Sequence, residues 1–195
     1  MVSPRFANAL DYAYELHADQ LRKGSNIPYI AHLLAVTAIV LEHGGTEDEA
    51  IAALLHDAIE DQGGAPTRDA IRHRYGEKVV AIVDGCTDAE TIPKPPWRER
   101  KEAYVAHIAH ASRSVRLVSA ADKLHNVRSI LADYQQVCDE VWKLFTGERD
   151  GTLWYYRALA DAFRAVEPSP LVEELERAVS ELERLTLTPA SCAEA

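Results

Sequence analysis

The chain has 195 residues, 47% apolar and 27% charged, which excludes collagen-like, low-complexity and wholly disordered proteins. Its 31 acidic against 21 basic residues give a formal charge of −10, a field that repels nucleic acid and anionic lipid as bulk partners. No apolar run nears the roughly 18–20 residues of a bilayer span, and no secretory leader is apparent, so a cytoplasmic protein is expected.

The dominant pattern is helical. From Pro4 to Gln20, Phe6, Ala9, Leu10, Ala13, Tyr14 and Leu16 recur at i, i+3, i+4 spacing. Arg22-Lys23-Gly24-Ser25-Asn26-Ile27-Pro28 reads as a basic turn. His32 to His43 reads as a buried helix stopped by Gly44-Gly45. Thr46 and Glu49 form a capping box for a helix running to about Asp61, and Gly63-Gly64-Ala65-Pro66 ends it. Thr67 is expected to cap a short helix ending near Tyr75-Gly76, followed by a helix over Glu77 to Cys86. Thr91 to Trp97, with Pro93, Pro95 and Pro96, reads as a loop.

Helices are then expected at about 98–111, 114–132 and 150–166, with a hinge at Glu167-Pro168-Ser169-Pro170. A last helix begins at Pro170, and its Leu171, Leu175, Ala178, Leu182 and Leu185 form an apolar stripe over two heptads. That is too short for a coiled coil, so the stripe is expected to pack on its own domain, with a homodimer seam as the alternative. The fold class is therefore all-α: a helical bundle of about eight to ten helices in a single domain. Its parts are a domain over 1–167, a C-terminal helix over 168–187 packed on it, and a flexible tail over 188–195. Cys86, Cys138 and Cys192 make no Cys-x-x-Cys pair, so reduced thiols rather than a zinc knuckle are expected.

The chemistry concentrates in His56-Asp57-Ala58-Ile59-Glu60-Asp61. On a helix His56 and Asp57 lie about 100° apart, with Glu60 and Asp61 one turn further along the same ridges. The preceding Ala50-Ile51-Ala52-Ala53-Leu54-Leu55 is apolar all round. Carboxylates delivered to the end of a buried helix are costly unless a cation compensates them, though on its own the segment also fits a solvated acidic helix end. His32 and Asp122 add a second imidazole and a second carboxylate, a donor mix that suits a divalent metal with open water positions. Asn126 shares a helix face with Asp122. His107 and His110 are spaced for a second metal, but no Gly-Tyr-Pro motif accompanies them, and His17, His43 and His73 have no assigned role.

The order His32, His56-Asp57, Asp122 resembles the HD metal-dependent phosphohydrolase superfamily. Four blocks narrow the likeness: Gln20-Leu21-Arg22-Lys23-Gly24, Pro28-Tyr29-Ile30-Ala31-His32, Leu54-Leu55-His56-Asp57-Ala58-Ile59-Glu60-Asp61 and Ala121-Asp122-Lys123-Leu124-His125-Asn126. They are similar to the hydrolase domain of RelA/SpoT homologues, over about residues 5–165. Those proteins remove the 3′-diphosphate of (p)ppGpp, the alarmone of the stringent response. The chain is too short for the synthetase domain of the larger members, so it looks like the small, hydrolase-only alarmone hydrolases.

The resemblance implies one divalent metal, Mn²⁺, held by His32, His56, Asp57 and Asp122. It implies that Glu60 and Asp61 orient and deprotonate the attacking water. Arg22 and Lys23 match the basic pair lining the nucleotide pocket, Asn126 a ribose or nucleotide contact, Tyr155 an aromatic closing the base pocket and Lys101 a phosphate-facing lysine. The implied partner is a small anionic nucleotide. Three departures stand out: Leu33 where a proline usually follows the first histidine, Ser119-Ala120 where Lys-Leu usually precedes the last motif, and Gln62 where threonine is common. Two alternatives remain open: a related nucleotide phosphatase acting, for example, on NADPH, and a degenerate HD module that only binds a nucleotide or protein.

Overall fold

The computed structural model describes residues 2–88 and 93–187; most of the expected loop over Thr91 to Trp97 is seen from Pro93 onward, and the tail at 188–195 lies outside the described residues. Ten α-helices and one 3-10 helix account for the regular structure among these, with one isolated antiparallel bridge between Leu21 and Pro28. By their contacts, the described residues group into two compact units, one over 2–88, 93–95 and 111–122, the other over 96–110 and 123–187. The prolines at 93, 95 and 96 interrupt the helical run where the chain first leaves the first unit.

In the first unit, Ser3 caps α1 (Pro4–Leu16) by accepting from the Arg5 N–H, and Pro4 occupies the first turn where its missing donor costs nothing. This helix ends four residues before the expected Gln20. The chain instead turns through residues 17–29, where the Arg22 N–H donates to Ile27 O and the Tyr29 N–H to Gln20 O at 2.9 and 2.8 Å. Gly24 takes a φ of +71° at the tip, a conformation that glycine adopts without steric cost. Helix α2 (Ile30–Glu42) follows, with His32 in its first turn.

Thr46 and Glu49 form the expected capping box on α3 (Glu47–Leu55). Ala50 to Leu55 are fully buried, and α1, α2 and α6 (Glu77–Cys86) pack against α3, which makes it the central element of this unit. The expected continuous helix to Asp61 is broken. His56 and Asp57 stand between α3 and a single turn, α4 (Ala58–Asp61). At the break, the His56 ring reaches back to the Ala53 carbonyl. A second correction concerns Thr67, which lies inside α5 (Ala65–Tyr75) rather than capping it. Gly64 takes the cap, Pro66 the first turn, and the Thr67 hydroxyl donates back to Gln62 O.

The second unit holds α7 (Trp97–Ile108), the later part of α8 (Arg113–Val137), the 3-10 helix Cys138–Leu144, α9 (Glu148–Val166) and α10 (Pro170–Leu187). Val115 to Val118 are helical, as expected. The 3-10 helix was not foreseen; Cys138 enters it at a φ of +52°, which stops α8. Helix α9 packs against α7, α10 and the 3-10 helix. The apolar stripe of α10 is buried at Leu171, Val172, Leu175, Val179 and Leu182.

Candidate active site

The first turn of α2, the α3–α4 break and the first half of α8 converge within the first unit. His32 and His56 are almost fully buried, at 1% and 2% exposure. Their Nε2 atoms stand 3.3 Å apart. Asp57 Oδ2 lies 3.0 Å from His56 Nε2 and 3.7 Å from His32 Nε2. Asp122 Oδ1 lies 3.3 Å from His32 Nε2 and 3.6 Å from His56 Nε2. His56 and Asp57 keep right-handed helical backbone angles through the break, and both side chains reach one point.

The surrounding hydrogen bonds fix the donor atoms. His56 Nδ1 lies 2.8 Å from Ala53 O, so its N–H donates there and the Nε2 lone pair faces the cluster. The Tyr29 hydroxyl donates to Asp57 Oδ2 at 2.5 Å. Burial raises the Tyr29 hydroxyl pKa, and the Asp57 carboxylate raises it further, so this proton stays in place.

The electrostatics of the four groups call for a cation. Burial disfavours the charged form of His56, yet the Asp57 and Asp122 carboxylates outweigh it and push its pKa well up. Burial opposes ionisation of Asp57, yet the field of His56 holds its carboxyl below the usual range. Burial dominates at His32 and lowers its pKa. Two buried imidazoles, the buried Asp122 and the half-buried Asp57 around one point form a donor set that suits a divalent metal, and His32, His56 and Asp57 offer ligand atoms within 4.8 Å of one another.

The two carboxylates that follow are held differently. Glu60 Oε1 accepts from Lys94 Nζ at 2.7 Å, and Oε2 from the Asp88 N–H at 3.3 Å. Asp61 Oδ2 accepts from Gln20 Nε2 at 2.9 Å. Desolvation, then the negative field of Asp57, raise the Asp61 pKa against the lowering effect of that hydrogen bond.

The basic loop places the Arg22 guanidinium 5.8 Å from the centroid of the Tyr29 ring, whose hydroxyl holds Asp57. Lys23 is exposed on the same loop. Asn126 is half-buried one turn beyond Asp122 on α8, in the second unit. Lys101 and Tyr155 come together in that unit: Lys101 Nζ sits 4.8 Å from the centroid of the Tyr155 ring, which is buried among Trp97, Trp154 and Tyr156.

Sequence reasoning missed Tyr29, Gln20, His17 and Lys94. Tyr29 stands three residues before His32, one helical turn, and that spacing was the available signal. Gln20 opens the first of the four blocks, though with no role read from it, while His17 and Lys94 lie in a turn and a loop and carried no signal.

The HD domain family model matches residues 9–153, well over half of the chain. The chain belongs to the HD domain family. Among curated relatives, a *Xenopus tropicalis* protein named guanosine-3′,5′-bis(diphosphate) 3′-pyrophosphohydrolase MESH1 is 41% identical over 125 residues, which cover 63% of this chain and 67% of that one. Its human counterpart of the same name is 38% identical over the same shares. Among solved structures, a metazoan SpoT orthologue described as hydrolysing ppGpp superimposes with a TM-score of 0.78 at 24% identity, over 93% of this chain and 97% of that one, a likeness of fold. A *Listeria monocytogenes* protein gives a TM-score of 0.71 at 27% identity, over 78% of this chain and 99% of that one.

Proposed function

We propose that the chain is a metal-dependent hydrolase that removes the 3′-pyrophosphate of (p)ppGpp, yielding GDP or GTP and pyrophosphate. The observation that carries this reading is the convergence of His32, His56, Asp57 and Asp122 on one point, with Asp61 beside it, in a chain whose curated HD relatives bear that activity in their names. The donor set fits one divalent ion, and Mn²⁺ is the ion we assign.

His32 Nε2, His56 Nε2 and the Asp57 and Asp122 carboxylates would hold the ion, with Tyr29 and the Ala53 carbonyl orienting two of these ligands. When bound, the ion supplies Lewis-acid polarisation of the phosphoryl group and makes water more acidic. Asp61 takes the water proton: a neutral amide rather than an ammonium holds its carboxylate, and general-base help is worth about 10²–10⁴ in rate. Glu60, held by Lys94 and the Asp88 N–H, orients rather than deprotonates. The oxygen of water bonds to the phosphorus next to the ribose 3′ oxygen. The bond between them breaks, and the 3′ oxygen leaves with the electron pair and is protonated. Arg22 and Lys23 neutralise the phosphates that an acidic protein would otherwise repel. Asn126 contacts the ribose, Tyr155 closes on the base, and Lys101 faces phosphate.

The test is a substrate panel with the Mn²⁺-loaded protein: ppGpp, pppGpp, NADPH and deoxynucleoside triphosphates, compared by kcat/KM. The alarmones should lead. A preference for NADPH would keep the metal and acid–base assignments and replace the substrate.

A further inference from the structure

His17 is buried to 2% exposure beside the site and has no part in the metal cluster. Its ring stacks on Tyr29, with centroids 5.2 Å apart and planes 18° from parallel. Its Nδ1 lies 2.6 Å from Gln20 Oε1, while its Nε2 is buried without a hydrogen-bond partner. Gln62 Nε2 reaches the same Gln20 oxygen at 2.6 Å, and Gln20 Nε2 lies 2.9 Å from Asp61 Oδ2.

The polarity of this chain of groups is forced from one end. An ionised Asp61 carboxylate only accepts, so Gln20 must turn its NH₂ toward it. Gln20 Oε1 then faces away and needs donors. Gln62 supplies one from its amide. His17 supplies the other, because burial keeps its ring neutral and the single ring proton belongs on Nδ1, where an acceptor waits. Were Gln20 reversed, its NH₂ would meet the Gln62 NH₂ and the His17 N–H, and its oxygen would meet the carboxylate.

We propose that His17 and Gln62 are positioning residues that lock the Gln20 amide, so that Gln20 holds Asp61 in place for proton transfer. This rests on the reading of Asp61 given above and adds the residues that act through it. His17 does so from inside the core, Gln62 from the α4–α5 turn, and both touch Gln20 rather than substrate.

The experiment measures kcat, KM, metal content and melting for Gln20→Leu, His17→Leu, His17→Asn and Gln62→Leu, with Asp61→Asn alongside. Gln20→Leu should lose roughly tenfold in kcat or more, since misplacing a catalytic group by about 1 Å costs up to about 10²-fold. KM should stay within about twofold and metal content should not change. His17→Leu should also lose kcat, whereas His17→Asn, whose side-chain N–H falls near the Nδ1 position, should recover most of it. Gln62→Leu, at a half-buried position, carries the test if His17→Leu fails to fold. An unchanged kcat in Gln20→Leu, or His17→Asn no better than a folded His17→Leu, overturns the proposal. If Asp61→Asn is inactive while Gln20→Leu is not impaired, the network alone fails. If Asp61→Asn keeps wild-type turnover, the reading of Asp61 fails, and the network with it.

Discussion

Asp61 and Glu60 are neighbours in sequence with opposite surroundings. One accepts a hydrogen bond from a neutral amide and is raised in pKa by desolvation and Asp57; the other is tied to the Lys94 ammonium. Asp61→Asn should therefore abolish most turnover, by about 10²-fold or more, with metal retained, while Glu60→Gln should cost less. Metal content measured beside kcat checks this, and loss of metal in either variant would make that residue a ligand. Tyr29 makes a separate prediction. Its hydroxyl holds Asp57, so Tyr29→Phe should weaken Mn²⁺ binding by about 10–100-fold with the helical content unchanged, read by titration with the metal. At this scale the clustering of His32, His56, Asp57 and Asp122 was legible, because donor type and order carry it. Gln20, His17 and Lys94 were not, because a loop residue has no periodicity to betray where it points.

The elements were legible where periodicity and caps agree, as in the Thr46–Glu49 box and in α6. They were not legible at His56-Asp57, where a tertiary demand overrides a helical pattern that continues unbroken in the sequence. The start of α1 illustrates the energetics. Arg5 Nη1 pairs with Asp48 Oδ1 at 2.6 Å, and its other nitrogen donates to the Tyr75 carbonyl, tying α1 to the ends of α3 and α5. The Arg5 hydrogen bond holds the Asp48 carboxyl below its usual range. A group with a lowered folded pKa contributes stability above its unfolded pKa and loses it as pH falls through the folded one. Arg5→Ala should thus lower stability by about 1 kcal/mol near neutrality, an effect that shrinks in acid below the normal Asp range, as thermal melts at the two pH values would show. In the second unit, a Cβ at Gly147 would meet the Trp97 ring at 2.6 Å. Gly147→Ala should lower the melting temperature, by an overpacking cost of about 1–3 kcal/mol, without changing metal binding.

For the whole molecule, the all-α class followed from helical periodicity and the absence of any paired strand pattern. The division into two units did not, because helix α8 runs through the boundary at Asp122 and Lys123 with no break in its sequence. The proposed metal ligands all fall in the first unit, and the Lys101–Tyr155 pair falls in the second. The activity is most directly tested by following where the 3′-pyrophosphate goes. Purified protein loaded with Mn²⁺ and given ppGpp should release GDP and pyrophosphate in equal amounts, with no orthophosphate, and a chelator should stop it. A folded, metal-loaded protein that leaves ppGpp intact, or that releases orthophosphate instead, would contradict the account.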